Sequence, residues 1–132
     1  MRKISLLLTI LVLSSFISGC KKDDLKNEAG TYTGTFMVTY NSGIETGMTT
    51  LKLKNGKFSC EGNSNRIPAG GSGSYSTENG KITFNDENGW TCDFDWNLIL
   101  EGEYNYSFDG KKIKIWADKN DVGHYEYNLE KN

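Results

Sequence analysis

The sequence is poor in the residue types that many catalytic and nucleic-acid sites require. Of its 132 residues one is histidine and one is proline, and the 15 lysines and arginines do not outnumber the 17 aspartates and glutamates. One histidine is too few to assemble a His-based metal site or a Ser-His-Asp relay with confidence. Without a basic excess there is no electrostatic footprint for nucleic acid. We therefore predict no enzyme activity, no metal, no cofactor and no nucleic-acid partner.

Long apolar runs are equally scarce, because the chain contains only one. It extends from Ile4 to Ile17, is interrupted only by serine and threonine, and follows Arg2 and Lys3. A membrane-spanning helix needs about 20 predominantly apolar residues, so this run is too short. A basic start followed by a short apolar stretch is typical of an export signal. We expect no transmembrane segment in the mature protein.

The four residues that end this stretch are Ile17-Ser18-Gly19-Cys20. They resemble the lipobox of bacterial lipoproteins, in which the cysteine becomes the lipidated first residue of the mature chain. The resemblance implies a signal peptide over 1–19, acyl chains on Cys20, and a polar tether over 20–29. Each buried methylene of such a chain contributes about 0.8 kcal/mol to membrane binding. The membrane is thus an expected partner, through the anchor at Cys20.

The residues after the anchor, Lys21-Lys22-Asp23-Asp24, bear on its location. They resemble signals that carry lipoproteins to the outer face of some Gram-negative cells. Charged residues are also common in solvated linkers. We expect an outer-membrane protein on the cell surface, with the periplasmic face as the alternative.

Two cysteines remain once Cys20 is lipidated. They are Cys60 and Cys92, in a compartment that permits disulfides. A bridge would close a loop of about 33 residues and stabilise the fold by roughly 3 to 4 kcal/mol on the entropic model. Two unpaired buried thiols are the alternative.

From Gly30 onward the sequence alternates with a period of two and carries no helix pattern. Asn55-Gly56 and Asp109-Gly110 are strong hairpin turns between alternating segments. The stretch 90–96 alternates as well and is either a strand or a packed loop. Without that stretch the pattern predicts eight strands, at 31–40, 49–54, 57–61, 73–77, 81–85, 98–108, 111–118 and 124–131.

Short connections between these strands predict an antiparallel meander, because a tight turn cannot make a crossover. Closure into a barrel would remove the two unpaired edges, whereas a β-sandwich, the alternative, needs longer crossing loops. Gly30-Thr31-Tyr32 at the start of the first strand resembles the Gly-x-Trp opening of lipocalins, and the meander resembles that group in pattern over 30–131. The resemblance implies an all-β, eight-stranded up-and-down barrel with a ligand site at its mouth.

The inward-facing positions favour a filled interior, because most of them are large aromatic or aliphatic residues. Glycines at 34, 73 and 102 share the inward phase and could leave room near the mouth. Two hypotheses follow: a non-enzymatic interaction module for a protein or glycan partner, or a lipocalin-like binder of a small hydrophobic or amphipathic ligand. Trp116 is out of phase with its inward neighbours and should face outward. The candidate contact residues are Trp90, Trp96, Trp116, Tyr104, Tyr106 and Tyr125.

Overall fold

The computed structural model describes Leu25 and residues 28–132. Eight antiparallel strands form a closed barrel in which each strand pairs with the next and the last pairs with the first. The prediction of an all-β, up-and-down barrel is confirmed, and the sandwich alternative is wrong. No helix among the described residues is both long enough and apolar enough to cross a membrane. The strands are β1 (Gly30–Tyr40), β2 (Gly43–Lys54), β3 (Lys57–Cys60), β4 (Gly71–Glu78), β5 (Lys81–Asp86), β6 (Gly102–Phe108), β7 (Lys112–Lys119) and β8 (Gly123–Lys131).

The pleat separates an apolar interior from a polar exterior, as the alternation predicts. Along β7, Ile113, Ile115 and Ala117 are buried, whereas Lys112 and Lys114 are exposed. The second half of β2 follows the same rule, whereas its first half, at the loop end, is exposed on both faces. The largest side chains of this interior are Tyr32, Phe36, Phe84, Tyr104, Tyr125 and Tyr127.

The two ends of the barrel differ in their connections. At one end, here called the tight-turn end, the connections are 55–56, 79–80 and 109–111. Asn55 and Gly56 have φ of 50° and 73°, the left-handed pair that a type I′ hairpin requires. At the other end, the loop end, two long connections, 61–70 and 87–101, lie beside two short turns.

The stretch 90–96 is part of a packed loop, which settles the alternative that the sequence left open. A short 3-10 helix, Trp96–Leu98, begins at the last residue of this stretch, and β6 begins at Gly102 rather than at position 98 as predicted. Leu98, Ile99 and Leu100 are all buried. Three consecutive buried residues cannot lie on one face of a strand, where alternate side chains point in opposite directions.

Leu25, within the stretch predicted as a tether over 20–29, belongs to the core. Its side chain is fully buried, and its carbonyl oxygen accepts a hydrogen bond of 2.9 Å from the hydroxyl of Tyr75. Tyr75 lies on β4 near the tight-turn end, where its amide donates to the carbonyl of Gly56. A single leucine among charged residues has no periodicity that could reveal it. The expected lipidation site, Cys20, lies outside the described residues.

The possible disulfide between Cys60 and Cys92 is not formed in the structure, where both thiols are free. Cys60 faces the barrel interior from β3, whereas Cys92 is exposed on the 87–101 connection. The Cys60 sulfur lies 3.3 Å from the Thr49 hydroxyl. Burial raises the pKa of the Cys60 thiol to about 11, against the opposing effect of that hydrogen bond. The alternative of two buried thiols is therefore correct for Cys60 only.

Barrel closure depends on a close approach of β1 to β8 at Gly34. Gly34 pairs with Leu129, and a Cβ atom placed on Gly34 would lie 2.0 Å from the carbonyl oxygen of Asn128. The sequence suggested that Gly34 could leave room at the mouth, but the backbone of β8 fills the space beside it.

We predict that Gly34→Ala destabilises the barrel by about 1 to 3 kcal/mol, because the added methyl meets backbone that cannot rotate away. Gly89→Ala is the matched control, since a Cβ there has nothing within 4 Å. Urea unfolding measures both variants. Equal stability of the two would contradict this account of closure.

Candidate functional site

Aromatic side chains fill the barrel along its axis. The ring centroids of Phe36 and Tyr127 lie 4.7 Å apart, and those of Phe58 and Phe84 lie 4.9 Å apart. Tyr104 continues the chain of contacts, at 5.9 Å from Phe84 and 6.3 Å from Tyr127. These centroid separations are those of directly packed aromatic pairs. Side chains that could contact a partner are therefore to be sought at the ends of the barrel rather than inside it.

A carboxylate from the 87–101 connection lies over the barrel at the loop end. Asp95 Oδ2 accepts hydrogen bonds from the hydroxyls of Tyr40 and Tyr125, at 2.7 and 2.6 Å. Its Oδ1 accepts from the amide of Asn97 at 2.9 Å, which caps the short helix. Burial acts to raise the pKa of Asp95, but the hydrogen bonds from Tyr125 and Tyr40 outweigh it and the pKa is lowered. Asp95 thus ties the long connection to β1 and β8 as an anion.

A partly buried lysine lies on the inner rim beside this carboxylate. Lys119 Nζ donates to the hydroxyl of Tyr104 and to the carbonyl of Glu101, both at 2.8 Å. The same nitrogen lies 4.3 Å from the centroid of the Tyr104 ring, within cation–π distance. Burial lowers the pKa of Lys119 to about 8, against the opposing charges of Glu101 and Asp95. Lys119 therefore fixes the end of the 87–101 connection to β7.

The outer side of the loop end is braced by contacts between the two long connections. Arg66 Nη1 lies 2.9 Å from Asp93 Oδ1, and the guanidinium carbon lies 4.2 Å from the centroid of the Phe94 ring. Phe94 packs edge-on against Trp90 at 5.9 Å, and Trp90 Nε1 donates to Asp86 Oδ2 at 2.6 Å. Stacking and hydrogen bonding by one guanidinium hold the 61–70 and 87–101 connections together.

Trp96 is the aromatic residue that this arrangement presents to solvent. Its side chain is 53% exposed, and Nε1 donates to the carbonyl of Thr91 at 2.8 Å. Because Trp96 directly follows Asp95, its backbone starts from a fixed point on the barrel. The result is an exposed indole with a defined orientation.

The structure brings four of the six predicted contact residues to the loop end and separates the other two. Trp96 is exposed there, Trp90 is partly buried, and Tyr104 and Tyr125 lie within the polar network. Trp116 lies on the outer wall of β7, 5.0 Å from Lys114 Nζ, and faces outward as predicted. Tyr106 packs partly buried against the core from β6, where its amide donates to the carbonyl of Gly80 near the tight-turn end.

Sequence reasoning missed the charged residues of this site, Asp95, Lys119 and Arg66. Lys119 carried a usable signal, because it shares the inward phase of Ile115 and Ala117 at the end of β7. Asp95 and Arg66 carried none, since their partners are distant in sequence. Among the described residues, no group of three or more His, Cys, Asp or Glu side chains could hold a metal ion.

We predict opposite consequences for removing two hydroxyls from β8. Tyr125 and Tyr127 are both fully buried, but the Tyr125 hydroxyl donates to Asp95 whereas the Tyr127 hydroxyl has no partner among the described residues. Tyr125→Phe should lower the free energy of unfolding by about 1.5 to 3 kcal/mol, as for a hydrogen bond to a charged group. Tyr127→Phe, the matched control, should leave it unchanged or raise it. Equal losses in urea unfolding would contradict the assigned network.

We predict that stability rises with pH between about 8 and 10 because of Lys119. Folded Lys119 loses its proton near pH 8, whereas an unfolded lysine does so near pH 10.4, so the unfolded chain binds more protons in this interval. Above about pH 10 stability should fall, because burial raises the pKa of Tyr104 and Tyr125 while unfolded tyrosines ionise. Urea unfolding across this range should show the rise in the wild type and not in Lys119→Met. A persistent rise in the variant would assign it to another group.

Comparisons with known proteins leave the site to be interpreted from its geometry. The barrel agrees with a lipocalin-like architecture at the level of strand number and order. No family model, no curated protein and no solved structure matches the chain.

Proposed function

We propose that this protein is a lipoprotein anchored through Cys20 in the outer membrane, at the cell surface, and that its barrel is a non-enzymatic interaction module. The loop end is the contact surface, and the exposed, fixed indole of Trp96 is the observation that carries the proposal. Tryptophan is among the residues that most often dominate binding energy at interfaces. The anchor itself is supported by the Ile17-Ser18-Gly19-Cys20 sequence.

The loop end suits recognition because its loops are ordered before a partner arrives. Asp95 and Lys119 attach the 87–101 connection to three strands, and Arg66 attaches it to the 61–70 connection. Ordering a mobile loop on binding reduces affinity, so a loop held in advance binds more tightly. The barrel then serves as a rigid support for Trp96.

A glycan partner fits the surroundings of Trp96 better than a protein partner. The large hydrophobic residues that are exposed among the described residues are Ile44, Met48, Trp96 and Val122. The 87–101 connection that carries Trp96 also carries the carboxylate of Asp93 and the amides of Asn88 and Asn97. An aromatic ring among hydrogen-bonding groups can stack on the apolar face of a sugar while its neighbours bind hydroxyls. A protein partner would be expected to find a larger contiguous apolar patch.

One observation favours the second candidate function, binding of a small hydrophobic or amphipathic ligand. The buried hydroxyl of Tyr127 has no hydrogen-bond partner among the described residues, and a ligand head group could supply one. The filled interior weighs against it, because a ligand would have to displace packed aromatic rings.

We predict that Trp96→Ala lowers affinity for the glycan by roughly 30-fold, the loss typical of a contact that contributes about 2 kcal/mol. Immobilised cell-surface oligosaccharides identify the ligand, and titration calorimetry measures the affinity. Trp116→Ala is the matched control, since that ring lies on the barrel wall.

Three results would contradict the proposal. One is unchanged glycan binding by Trp96→Ala, and another is equal loss in both tryptophan variants. The third is binding of a fatty acid in a fluorescence titration, with no glycan bound, which would favour the second candidate.

A further inference from the structure

The charges of the barrel are divided between its two ends. The loop end carries nine carboxylates against one arginine and one lysine, whereas the tight-turn end carries seven lysines against four carboxylates. The loop-end carboxylates are those of Glu45, Glu61, Asp86, Glu87, Asp93, Asp95, Glu101, Asp118 and Asp121. The lysines of the tight-turn end are Lys52, Lys54, Lys57, Lys81, Lys111, Lys112 and Lys131, and its carboxylates are Glu28, Glu78, Asp109 and Glu130.

Five of these lysines have no carboxylate within 4 Å among the described residues. Lys111 pairs with Glu130 at 2.9 Å, and Lys131 pairs with Glu28 at 3.7 Å. The five without an ion pair, here called the lysine face, are Lys52, Lys54, Lys57, Lys81 and Lys112, and all five are exposed. Lys81 donates one hydrogen bond to the side-chain oxygen of Asn105, which is uncharged, so the positive charge of each of the five is left without an anionic partner among the described residues.

The start of the described chain lies at the same end as the lysine face. Leu25 is buried there, held through its carbonyl by Tyr75. Only four residues separate Leu25 from Cys20. At about 3.6 Å per residue, the five steps between them reach at most about 18 Å. A lipid on Cys20 thus keeps the tight-turn end, and not the loop end, close to the membrane.

We propose that the lysine face docks on phosphate-bearing anionic headgroups of the membrane that holds the anchor, so that the loop end points away from it. This inference rests on the proposed lipid anchor at Cys20. Lysine binds phosphate as a point charge, and lysines close to an anionic bilayer are attracted within about a Debye length of its surface. The acidic loop end is repelled by the same surface. The lipid anchor keeps the barrel near the membrane, and the unequal charge of its two ends determines which end faces the surface.

The test measures lysine acetylation in the full-length lipidated protein on two kinds of vesicle. One kind is phosphatidylcholine alone, and the other contains phosphatidylglycerol in addition. After single-hit labelling with a water-soluble acetylating reagent, mass spectrometry gives the rate at each lysine. We expect the five lysines of the lysine face to react about fivefold more slowly on the anionic vesicles, the factor for one lysine at such a surface. Lys114, on the barrel wall, should react equally on both.

Charge reversal supplies a matched pair of variants. Lys112→Glu should weaken the protection of Lys54 and Lys81, whereas Lys114→Glu makes the same charge change on the barrel wall and should preserve it. High salt should remove the protection in the wild type, because it screens the attraction.

Equal rates on the two vesicles, equal protection of Lys114, or loss of protection in both variants would overturn the docking inference. A separate measurement, the intact mass of the protein, tests whether Cys20 carries the lipid anchor. An intact mass without acyl chains on Cys20 refutes the proposed function, whereas an acylated protein with an unprotected lysine face refutes only the docking.

Discussion

The pairing of the first strand with the last is the constraint on which the rest of the molecule depends. β1 and β8 are aligned over nine residue pairs, from Tyr32 with Lys131 to Tyr40 with Gly123. Without this pairing both strands would expose unpaired backbone, and the apolar side chains between them would lose their enclosure. Because the paired segments come from opposite ends of the sequence, closure is the most non-local contact of the fold. It brings Tyr40 and Tyr125 to the same rim, and so creates the acceptor site for Asp95.

Closure with eight strands also determines where function can be located. A barrel of this size has an interior that side chains can just fill, and here rings such as Phe36, Phe84 and Tyr127 fill it. The walls are regular strands whose outward side chains are spread over a convex surface. Only the two ends can concentrate several side chains, and they do so differently, with lysines around short turns at one end and aromatic and acidic residues on long loops at the other.

The strands were predictable from the sequence because their cause is local. A period-two pattern such as Ile113, Ile115 and Ala117 on β7 needs only the pleat to separate inside from outside. The loop end was not predictable, because its contacts join residues that are distant in sequence: Asp95 is 55 residues from Tyr40, and Arg66 is 27 from Asp93. The burial of Leu25 was missed for the same reason. The stretch 90–96 alternates like a strand in sequence, yet it forms a loop because its side chains make tertiary contacts at the barrel end.

The two partly buried charged groups of the loop end, Asp95 and Lys119, are already engaged in hydrogen bonds within the protein. Asp95 accepts from two tyrosines and an amide, and Lys119 donates to Tyr104 and a carbonyl. A partner that sought these groups would have to break contacts that hold the 87–101 connection in place, and the loss would offset its own hydrogen bonds. Affinity must therefore come from groups that the network positions without consuming. Trp96 is such a group, because only its indole nitrogen is engaged, by Thr91, and its ring remains free to stack.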